Sequence, residues 1–458
     1  MAELEKILAA LDQSGLSGLS GLSGLSGLSG QPGRSVQAES VLRLLYGNDP
    51  QVISNQKSRY IKAITRFCEE FPMLAAKSDI DISIFSTPGR TEVGGNHTDH
   101  NAGRVLAAAV DLDAIAITAK NDTGIITVRS EGHDTDIVDL SSQMDPVGSE
   151  KFTSTAMIRG ICSRLVQLGY KIGGFDAYTT SNVLKGSGLS SSAAFEVLIV
   201  TILNHLYNNG SIDGILSAQI SQYAENVYFG KPCGLMDQTA CAVGGFVAID
   251  FRDAGKPVVK KVEFDFAARG YTLVIVDTGG SHADLNEDYA AIPREMKEVA
   301  AAFGGKVLRD FSAEKVLGDV SYLRTMVNDR AILRALHFYG DDERVVKQVE
   351  ALEKGDFDLF LRHVIESGRS SWTLLQNCYS CTNYKEQGVP IALAVSERIL
   401  DGRGAWRVHG GGFAGTIQAF VPNSLLKEYV SGMQAIFGGS SCYELMIRPV
   451  GTVKVELV

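Results

Sequence analysis

Residues 88–103, PGRTEVGGNHTDHNAG, combine many side chains that form hydrogen bonds or carry charge. The stretch holds an arginine, a glutamate, an aspartate, two histidines and two asparagines, and four glycines interrupt it. Carboxylate, imidazole and amide groups donate and accept hydrogen bonds in defined directions, and glycine allows backbone conformations that other residues avoid. We therefore treat this stretch as a candidate site for a polar ligand.

A second stretch, SNVLKGSGLSSSAAFEVL at residues 181–198, has the order strand, glycine-rich turn and helix. Gly186 and Gly188 would let successive N–H groups curve around an anion, and the serines at 190–192 supply hydroxyls where the helix begins. The partial positive charge of a helix N-terminus makes phosphate the natural ligand. The turn lacks both the Gly-Lys-Ser/Thr ending of a Walker loop and the third glycine of a dinucleotide-binding fingerprint. Read alone, a purely structural helix cap is an equally good interpretation.

Composition and charge narrow the possible functions. The chain has 458 residues, 45% of them hydrophobic and 21% charged, which is enough for two or three domains with hydrophobic cores. Its net charge of −10 disfavours a nucleic acid partner, because binding to phosphate backbones depends on an excess of Lys and Arg. No apolar run reaches the roughly 18 residues of a membrane span, and the amphipathic N-terminus MAELEKILAALDQ lacks the layout of a signal peptide. The sequence thus predicts a cytoplasmic protein that acts on small molecules.

The chain alternates strand and helix patterns after an N-terminal extension. The triplet Ser-Gly-Leu repeats from Ser14 to Gly30, which predicts a tether, and a helical pattern resumes near Glu39. β-Branched and aromatic residues predict strands in DISIFSTPGR, DAIAITAKND, GIITVRSEG and FDAYTTSNV, whereas SSAAFEVLIVTILNHLY has apolar residues spaced for one helix face. A second block, from YTLVIVDTGG to TVKVELV, predicts another domain from about residue 267. The sequence therefore indicates an α+β chain of two domains.

Five motifs, in order along the chain, resemble those of a known enzyme family. LKGSGLSSSAA resembles the second motif of the GHMP small-molecule kinases, and VHGGGFAGTIQAFVP resembles their third. PGRTEVGGNHTDHNAGRVLAAAV is similar to the sugar signature of the galactokinase branch, and AENVYFGKPCGLMDQ and SHADLNEDYAAIPRE resemble two later segments of that branch. The chain is identified as a member of this family, because five ordered motifs are far more specific than any single one.

The resemblance implies a GHMP kinase fold of the α+β class. The N-terminal domain would resemble domain 2 of ribosomal protein S5, the C-terminal domain would have a ferredoxin-like core, and the active site would lie in the cleft between them. The expected divisions are an extension at 1–38, an N-terminal domain at 39–266 that binds sugar and ATP, and a C-terminal domain at 267–458. A monomer or a weak homodimer is expected.

The resemblance also implies a reaction, the Mg²⁺-dependent transfer of the γ-phosphoryl group of ATP to the anomeric hydroxyl of galactose. Such a transfer needs a carboxylate to orient the hydroxyl, a cation for the developing charge, and a metal on phosphate oxygens. Asp237 would be the carboxylate and Arg90 the cation, with Ser192 and Glu225 as ligands of Mg²⁺. The other expected contacts are Asn96, His97, Asp99, Gly234 and Tyr289 for the sugar, and Gly186, Ser187, Gly188, Leu189, Ser190, Ser191, Ser192, Gly411 and Gly412 for ATP.

Each of these residues also has an ordinary structural interpretation. Asp237 could cap the helix that runs through QTACAV. His97 and Asp99 could satisfy each other locally, Glu225 could be an exposed helix residue, and Tyr289 could belong to the core. Only the joint occurrence of the motifs at the family's spacing favours the functional interpretation.

Two departures from the family pattern bear on the substrate. Galactokinases usually carry Glu where this chain has Asn96, and Tyr where it has His100. Because an amide bonds to a hydroxyl without a negative charge, Asn96 would repel a C6 carboxylate less than Glu would. A kinase for galacturonate, for another galacto-configured sugar or for an amino sugar therefore stays open as an alternative. A regulator that binds galactose and ATP without turnover, a different class of protein, also stays open.

Overall fold

The computed structural model describes residues 2–11, 32–77, 80–142, 144–184, 188–253, 255–280, 285–413 and 415–457. Within these ranges the chain forms twelve strands: β1 Ile82–Gly94, β2 Arg104–Lys120, β3 Ile125–Ser130, β4 Thr135–Asp139, β5 Phe175–Ser181, β6 Phe246–Asp250, β7 Val258–Val262, β8 Tyr271–Asp277, β9 Ala405–Val408, β10 Thr416–Pro422, β11 Cys442–Leu445 and β12 Val453–Lys454.

The same ranges contain fifteen α-helices: α1 Ala2–Leu11, α2 Pro32–Tyr46, α3 Pro50–Glu70, α4 Pro72–Ala75, α5 Ser154–Gln167, α6 Ser191–Tyr207, α7 Gly214–Tyr223, α8 Met236–Val243, α9 Asn286–Ala302, α10 Ala313–Gly318, α11 Val320–Met326, α12 Asp329–Glu353, α13 Phe357–Ser370, α14 Gly388–Leu400 and α15 Leu426–Phe437. Of these helices, not one is both long and apolar enough to cross a membrane. The Ser-Gly-Leu repeat lies outside the described residues.

The larger sheet has eight strands. Its order is β12-β1-β2-β5-β3-β4, with β6 paired to β2 and β7 paired to β6. Every residue of β1 is buried, because helices cover both faces of the sheet. Ile84 and Ile117 share a core cluster with α1, α2 and α3 on one face, whereas Phe85 and Ala116 pack with α5 and α6 on the other. The four strands predicted from the sequence are present as β1, β2, β3 and β5, and the predicted apolar helix is α6.

The second N-terminal helix begins earlier than the sequence indicates. α1 matches the predicted amphipathic helix, but α2 begins at Pro32 rather than near Glu39. Proline is favoured in the first turn of a helix, because its missing N–H would have no partner there and its φ is already helical. The predicted start was therefore wrong, since Pro-Gly-Arg-Ser resembles a turn by composition alone.

The smaller sheet is antiparallel and has the order β11-β8-β10-β9. α14 and α15 pack on one face, whereas α13 lies on the other, where Phe360 shares a core cluster with Phe420 and with Val105 of the larger sheet. The two sheets are thus joined by a common hydrophobic core. The end of the chain returns to the larger sheet, because β12 pairs with β1. The divisions after residues 38 and 266 stay predictions.

A buried carboxylate, Asp113 on β2, ties the N-terminal helices and the end of the chain to the larger sheet. Arg59 Nη1 on α3 donates to Oδ1 at 2.6 Å, and Tyr46 Oη on α2 donates to Oδ2 at 2.6 Å. Arg448 and Ser86 also donate to Oδ2. Burial alone would raise the pKa of Asp113, but the two arginines and the two hydroxyl donors outweigh it and hold the pKa below its ordinary value.

Asp113→Asn should lower the free energy of unfolding by about 3–5 kcal/mol at pH 7, because it leaves two arginines without their buried counter-charge. Since the folded-state pKa is depressed, the charge stabilises the fold above the unfolded-state pKa of about 3.9, and this contribution is lost as the pH falls through the folded-state pKa. Urea denaturation followed by circular dichroism should show the full difference from wild type at pH 7 and a shrinking difference below pH ~4. Asp122→Asn, at an exposed position, is the control, and equally small effects of both variants would contradict this role of Asp113.

Candidate functional site

A polar cleft lies beside the end of β1 and the glycine-rich loop that joins β9 to β10. It encloses about 580 Å³ including its open mouth, a size that suits a small polar ligand. Three carboxylates, one arginine and two histidines are among its lining residues, which are Arg90, Glu92, His97, Asp99, His100, Cys233, Gly234, Met236, Asp237, Gly410 and Gly411. The fold thus brings three of the five sequence motifs to one cleft.

Arg90 and Asp237 form an ion pair in the wall of this cleft. Arg90 Nε donates to Asp237 Oδ1 at 2.7 Å, and Nη2 lies 2.7 Å from Oδ2. The third nitrogen, Nη1, donates to the backbone oxygen of Gly188. Arg90 is buried, whereas 32% of the Asp237 side chain is exposed. A bidentate pair of this kind fixes both side chains and leaves the carboxylate open to a ligand.

Asp237 does not cap α8. The helix begins at Met236, and its cap residue, Leu235, makes no side-chain hydrogen bond. The Asp237 carboxylate instead accepts hydrogen bonds from Arg90 and from Ser190 Oγ, the latter at 2.5 Å. Burial would raise the pKa of Asp237, but the charge and hydrogen bonds of Arg90 and the Ser190 hydroxyl lower it below its ordinary value. Asp237 is therefore ionised at neutral pH.

The glycine- and serine-rich loop before α6 adjoins this ion pair. α6 begins at Ser191, and Ser190 precedes it in a left-handed conformation with a φ of 57° and no side-chain cap bond. Leu189 is buried, and its backbone oxygen accepts a hydrogen bond from β1 at 3.1 Å. The first N–H groups of a helix have no intrahelical partner and can bind an anion. Gly186 and Ser187 lie outside the described residues.

The second glycine loop, residues 410–412, lies against the first. A Cβ added to Gly410 would lie 3.8 Å from the Cα of Gly188. Asn377 holds the loop from behind, because its Nδ2 donates to the backbone oxygen of Gly411 at 3.1 Å. Gly412 has a φ of +84° and passes so close to Asn377 that a Cβ would clash. Glycine is therefore required at position 412, where the second loop passes Asn377.

The residues predicted to contact a sugar divide into two groups. His97, Asp99 and Gly234 line the cleft, whereas Tyr289 and Asn96 are not among its lining residues. His97 Nε2 lies 3.0 Å from the backbone oxygen of Gly411, and burial, aided by the neighbouring His100, lowers the pKa of His97 to about 4. Asp99 faces Gly234, where an added Cβ would clash with the carboxylate. In the described parts of the chain, no hydrogen bond joins His97 to Asp99, so the proposed local pairing is not observed.

Tyr289 lies next to the cleft rather than in its lining. Its hydroxyl donates to the backbone oxygen of Gly412 at 2.8 Å, and its ring meets that of Phe413 edge-on at 5.2 Å between centroids. Burial raises the pKa of Tyr289 to about 12. The ring thus supports the second glycine loop.

Asn96 is fully buried and its side chain is saturated with hydrogen bonds to the protein. Nδ2 donates to Glu92 Oε1 and to the backbone oxygen of Gly410, both at 2.8 Å. Oδ1 accepts from Ser371 Oγ at 3.1 Å and from Asn377 Nδ2 at 2.9 Å. An amide makes two donor and two acceptor bonds, so Asn96 has none left for a sugar. The geometry places Asn96 behind the cleft wall, and Glu92 lines the cleft in front of it.

A buried acidic cluster adjoins the cleft at Gln238, the residue after Asp237. Gln238 Nε2 donates to Glu225 Oε2 at 2.8 Å and to Glu196 Oε2 at 3.2 Å. Lys231 Nζ lies 3.3 Å from Glu225 Oε1. Burial, together with the charge of Glu225, raises the pKa of Glu196. Glu225 is only 2% exposed, so its interpretation as an exposed helix residue was wrong.

The cluster is rich in oxygen ligands but is not a complete metal cage. Glu196 Oε1 is buried and has no hydrogen-bond partner in the described ranges. Ser192 precedes Glu196 by four residues on α6 and therefore shares its helix face. No group of three or more His, Cys, Asp or Glu side chains placed to hold a metal is found in the part of the chain that the structure describes. A cation here would need further ligands from a bound phosphate.

Sequence reasoning missed Glu92, Glu196 and Gln238. Glu92 follows Arg90 by two positions on β1, and Glu196 follows Ser192 by four on α6. Strand and helix periodicity could therefore have placed both beside residues that were predicted. Gln238 had no comparable signal, because its partners are brought to it by the fold.

Comparison with known proteins gives the family. The sequence model for "GHMP kinases N terminal domain" matches residues 156–245, and that for "Galactokinase galactose-binding signature" matches residues 69–120. The galactokinase of Streptomyces coelicolor is 33% identical over 366 residues, which cover 78% of this chain and 89% of that protein. The chain belongs to the galactokinases of the GHMP kinase family. It is an ATP-dependent sugar kinase, as the motifs predicted.

Solved structures of the family share the fold. Galactokinase of Lactococcus lactis, in complex with galactose, superposes with a TM-score of 0.71 at 21% identity, covering 85% of this chain and 99% of that one. Mevalonate kinase of Methanococcus jannaschii gives a TM-score of 0.56 at 14% identity, covering 81% and 99%. The predicted α+β GHMP kinase fold is confirmed.

Proposed function

We propose that the cleft transfers the γ-phosphoryl group of ATP to the anomeric hydroxyl of galactose, giving galactose 1-phosphate and ADP. One observation carries the proposal: the Arg90–Asp237 pair opens onto a polar cleft beside two glycine loops. Phosphoryl transfer depends mainly on positioning and on electrostatic stabilisation. A fixed ion pair beside backbone donors supports both.

Asp237 would accept a hydrogen bond from the attacking hydroxyl and take its proton as the oxygen–phosphorus bond forms. The lowered pKa of Asp237 keeps it ionised but makes it a weak base, so its main contribution would be orientation of the hydroxyl. Arg90, fixed by Asp237 and Gly188, would balance the negative charge of the transferring group.

The two glycine loops would bind the phosphates of ATP. Unpaired N–H groups at the start of α6 supply donors for an anion. Because the Leu189 side chain is buried, that residue can contribute only its backbone. The proposed phosphate contacts are Gly186, Ser187, Gly188, Leu189, Ser190, Ser191 and Ser192, with Gly411 and Gly412 approaching from the opposite side.

Mg²⁺ fits the acidic cluster, with Ser192 and Glu225 as the proposed ligands. Mg²⁺ prefers oxygen ligands and commonly combines one or two carboxylates with phosphate oxygens. Glu196 Oε1 is buried and has no hydrogen-bond partner within the described ranges. It therefore offers a further oxygen ligand beside Glu225. When bound, the metal would neutralise charge on the phosphate oxygens of ATP.

Glu225→Gln should weaken the binding of Mn²⁺, a probe for Mg²⁺, in the presence of ADP by about ten- to a hundredfold. A neutral amide is a poorer ligand for a hard cation than a carboxylate is. Electron paramagnetic resonance titration of Mn²⁺ measures this affinity without turnover. Glu287→Gln, at a position with 79% side-chain exposure, is the control. Equal Mn²⁺ affinities in the two variants would show that Glu225 is not a ligand of the metal.

On the sugar side, His97, Asp99 and Gly234 are the proposed contacts, because they line the cleft. Tyr289 is proposed to support the second glycine loop, and its direct contact with the sugar stays a prediction. Asn96, whose amide is saturated by protein partners, is proposed to hold Glu92 and the second glycine loop rather than to contact the sugar. A monomer or weak homodimer and a cytoplasmic location also stay predictions.

The proposal is tested by coupled ADP release with Mg²⁺-ATP and a panel of galactose, galacturonate, N-acetylgalactosamine, glucose, arabinose and homoserine. Galactose is expected to give the highest kcat/KM. A higher kcat/KM for galacturonate than for galactose would identify the protein as a sugar-acid kinase instead. Binding of galactose and ATP without ADP release would instead indicate a regulator.

A further inference from the structure

We infer that Glu92, rather than Asn96, contacts the sugar, and that its carboxylate selects neutral sugars over sugar acids. The inference rests on the proposed function, because it concerns the sugar subsite of the same cleft. Glu92 lies two residues after Arg90 on β1, so both side chains leave the same face of the strand. Both line the cleft, whereas the Asn96 amide is saturated by protein partners.

Glu92 is held rigidly through one of its two carboxylate oxygens. Oε1 accepts from Asn96 Nδ2 at 2.8 Å and from Arg407 Nη2 at 2.9 Å. Arg407 is itself fully buried, and its other nitrogens donate to the backbone oxygens of Val93 and Val408 at 2.8 and 3.1 Å. Within the described ranges, no hydrogen bond reaches Glu92 Oε2. A fixed carboxylate with one free oxygen can accept a hydrogen bond from a sugar hydroxyl with little loss of side-chain entropy.

The charges of the cleft favour a neutral ligand. Glu92, Asp99 and Asp237 place three carboxylates in its lining. A sugar acid would set its own carboxylate against them, and two carboxylates repel each other and cannot donate a hydrogen bond to one another. The loss of negative charge at position 96 therefore does not by itself open the cleft to galacturonate, because the Glu92 carboxylate lies beside it. Burial raises the pKa of Glu92, whereas the charges of Arg407 and Arg90 act against that rise.

Glu92→Gln tests the inference. The amide oxygen can still accept from Asn96 and Arg407, whereas the NH₂ group cannot accept from a hydroxyl but can donate to a sugar carboxylate. In calorimetric titrations of the nucleotide-free protein, the Kd for galactose should rise about ten- to a hundredfold, and the Kd for galacturonate should fall. The Kd for ADP should stay at the wild-type value.

Glu295→Gln is the matched control, because Glu295 is a buried carboxylate paired with the fully buried Arg334 outside the cleft lining. It should leave the Kd for galactose unchanged. An unchanged Kd for galactose in Glu92→Gln overturns the inference. So does a joint loss of galactose and ADP affinity, which would make Glu92 only a structural partner of Arg407.

The wild-type protein gives a second test, which does not depend on whether a variant folds. Galactose should bind much more tightly than galacturonate, and equal affinities would overturn the inference. Failure of the proposed function has a different signature, because the wild type would then release little or no ADP with galactose, whatever Glu92→Gln does to the Kd values.

Discussion

Asp237→Asn should lower kcat for galactose by about 10²–10⁴-fold, the range that a positioned acid or base contributes. An amide cannot take the proton of the attacking hydroxyl, and it offers Arg90 one acceptor oxygen instead of two. Because the side chain keeps its size, the Kd values for galactose and ADP should stay close to those of wild type. Single-turnover quench measurements with saturating substrates isolate the chemical step.

The exposed Asp122→Asn is the matched control for this measurement. A wild-type kcat in Asp237→Asn would show that another group orients the hydroxyl. A large rise in the Kd for galactose with little change in kcat would assign Asp237 to binding alone.

Arg90→Met should lower kcat by about 10²–10³-fold, the loss seen when a donor to developing charge is removed. The substitution should also change the pH dependence. Arg90 holds the pKa of Asp237 down, so its removal raises that pKa, and activity should be lost at a higher pH as the solution is acidified. The profile of kcat against pH measures this shift of the acid limb.

Arg90→Lys separates charge from geometry. Lysine keeps the positive charge but cannot contact both oxygens of Asp237 and the backbone oxygen of Gly188 in the way the guanidinium does. Its kcat should lie between those of wild type and Arg90→Met, with a smaller shift of the acid limb. An acid limb that is the same in all three proteins would contradict the coupling of Arg90 to Asp237.

The sequence predicted those parts of the site that lie within continuous motifs. The glycine loops were recognised from their motifs, and the resemblance to the family implied that Arg90 and Asp237 meet. The role of Asn96 could not be predicted from the motif that contains it. Its partners include Ser371 and Asn377, which are more than 270 residues away, and Gly410 on the second glycine loop.

The exchange of Glu for Asn at position 96 affects the choice of substrate only if that side chain faces the sugar. The direction of the side chain depends on the turn around it. Gly95 and His97 have φ values of 82° and 60° on either side of Asn96. This turn directs the amide toward Glu92 and the second glycine loop. Only the folded structure shows that Glu92, and not Asn96, is among the residues that line the cleft.

The most direct test of the central claim is the position of the phosphate in the product. The wild-type enzyme is incubated with Mg²⁺-ATP and galactose labelled with ¹³C at C1, and the product is examined by ³¹P and ¹³C NMR. The account predicts coupling between phosphorus and the labelled C1, together with one ADP for each sugar phosphate. Phosphorus on another carbon, or ADP formed without a sugar phosphate, would contradict transfer to the anomeric hydroxyl.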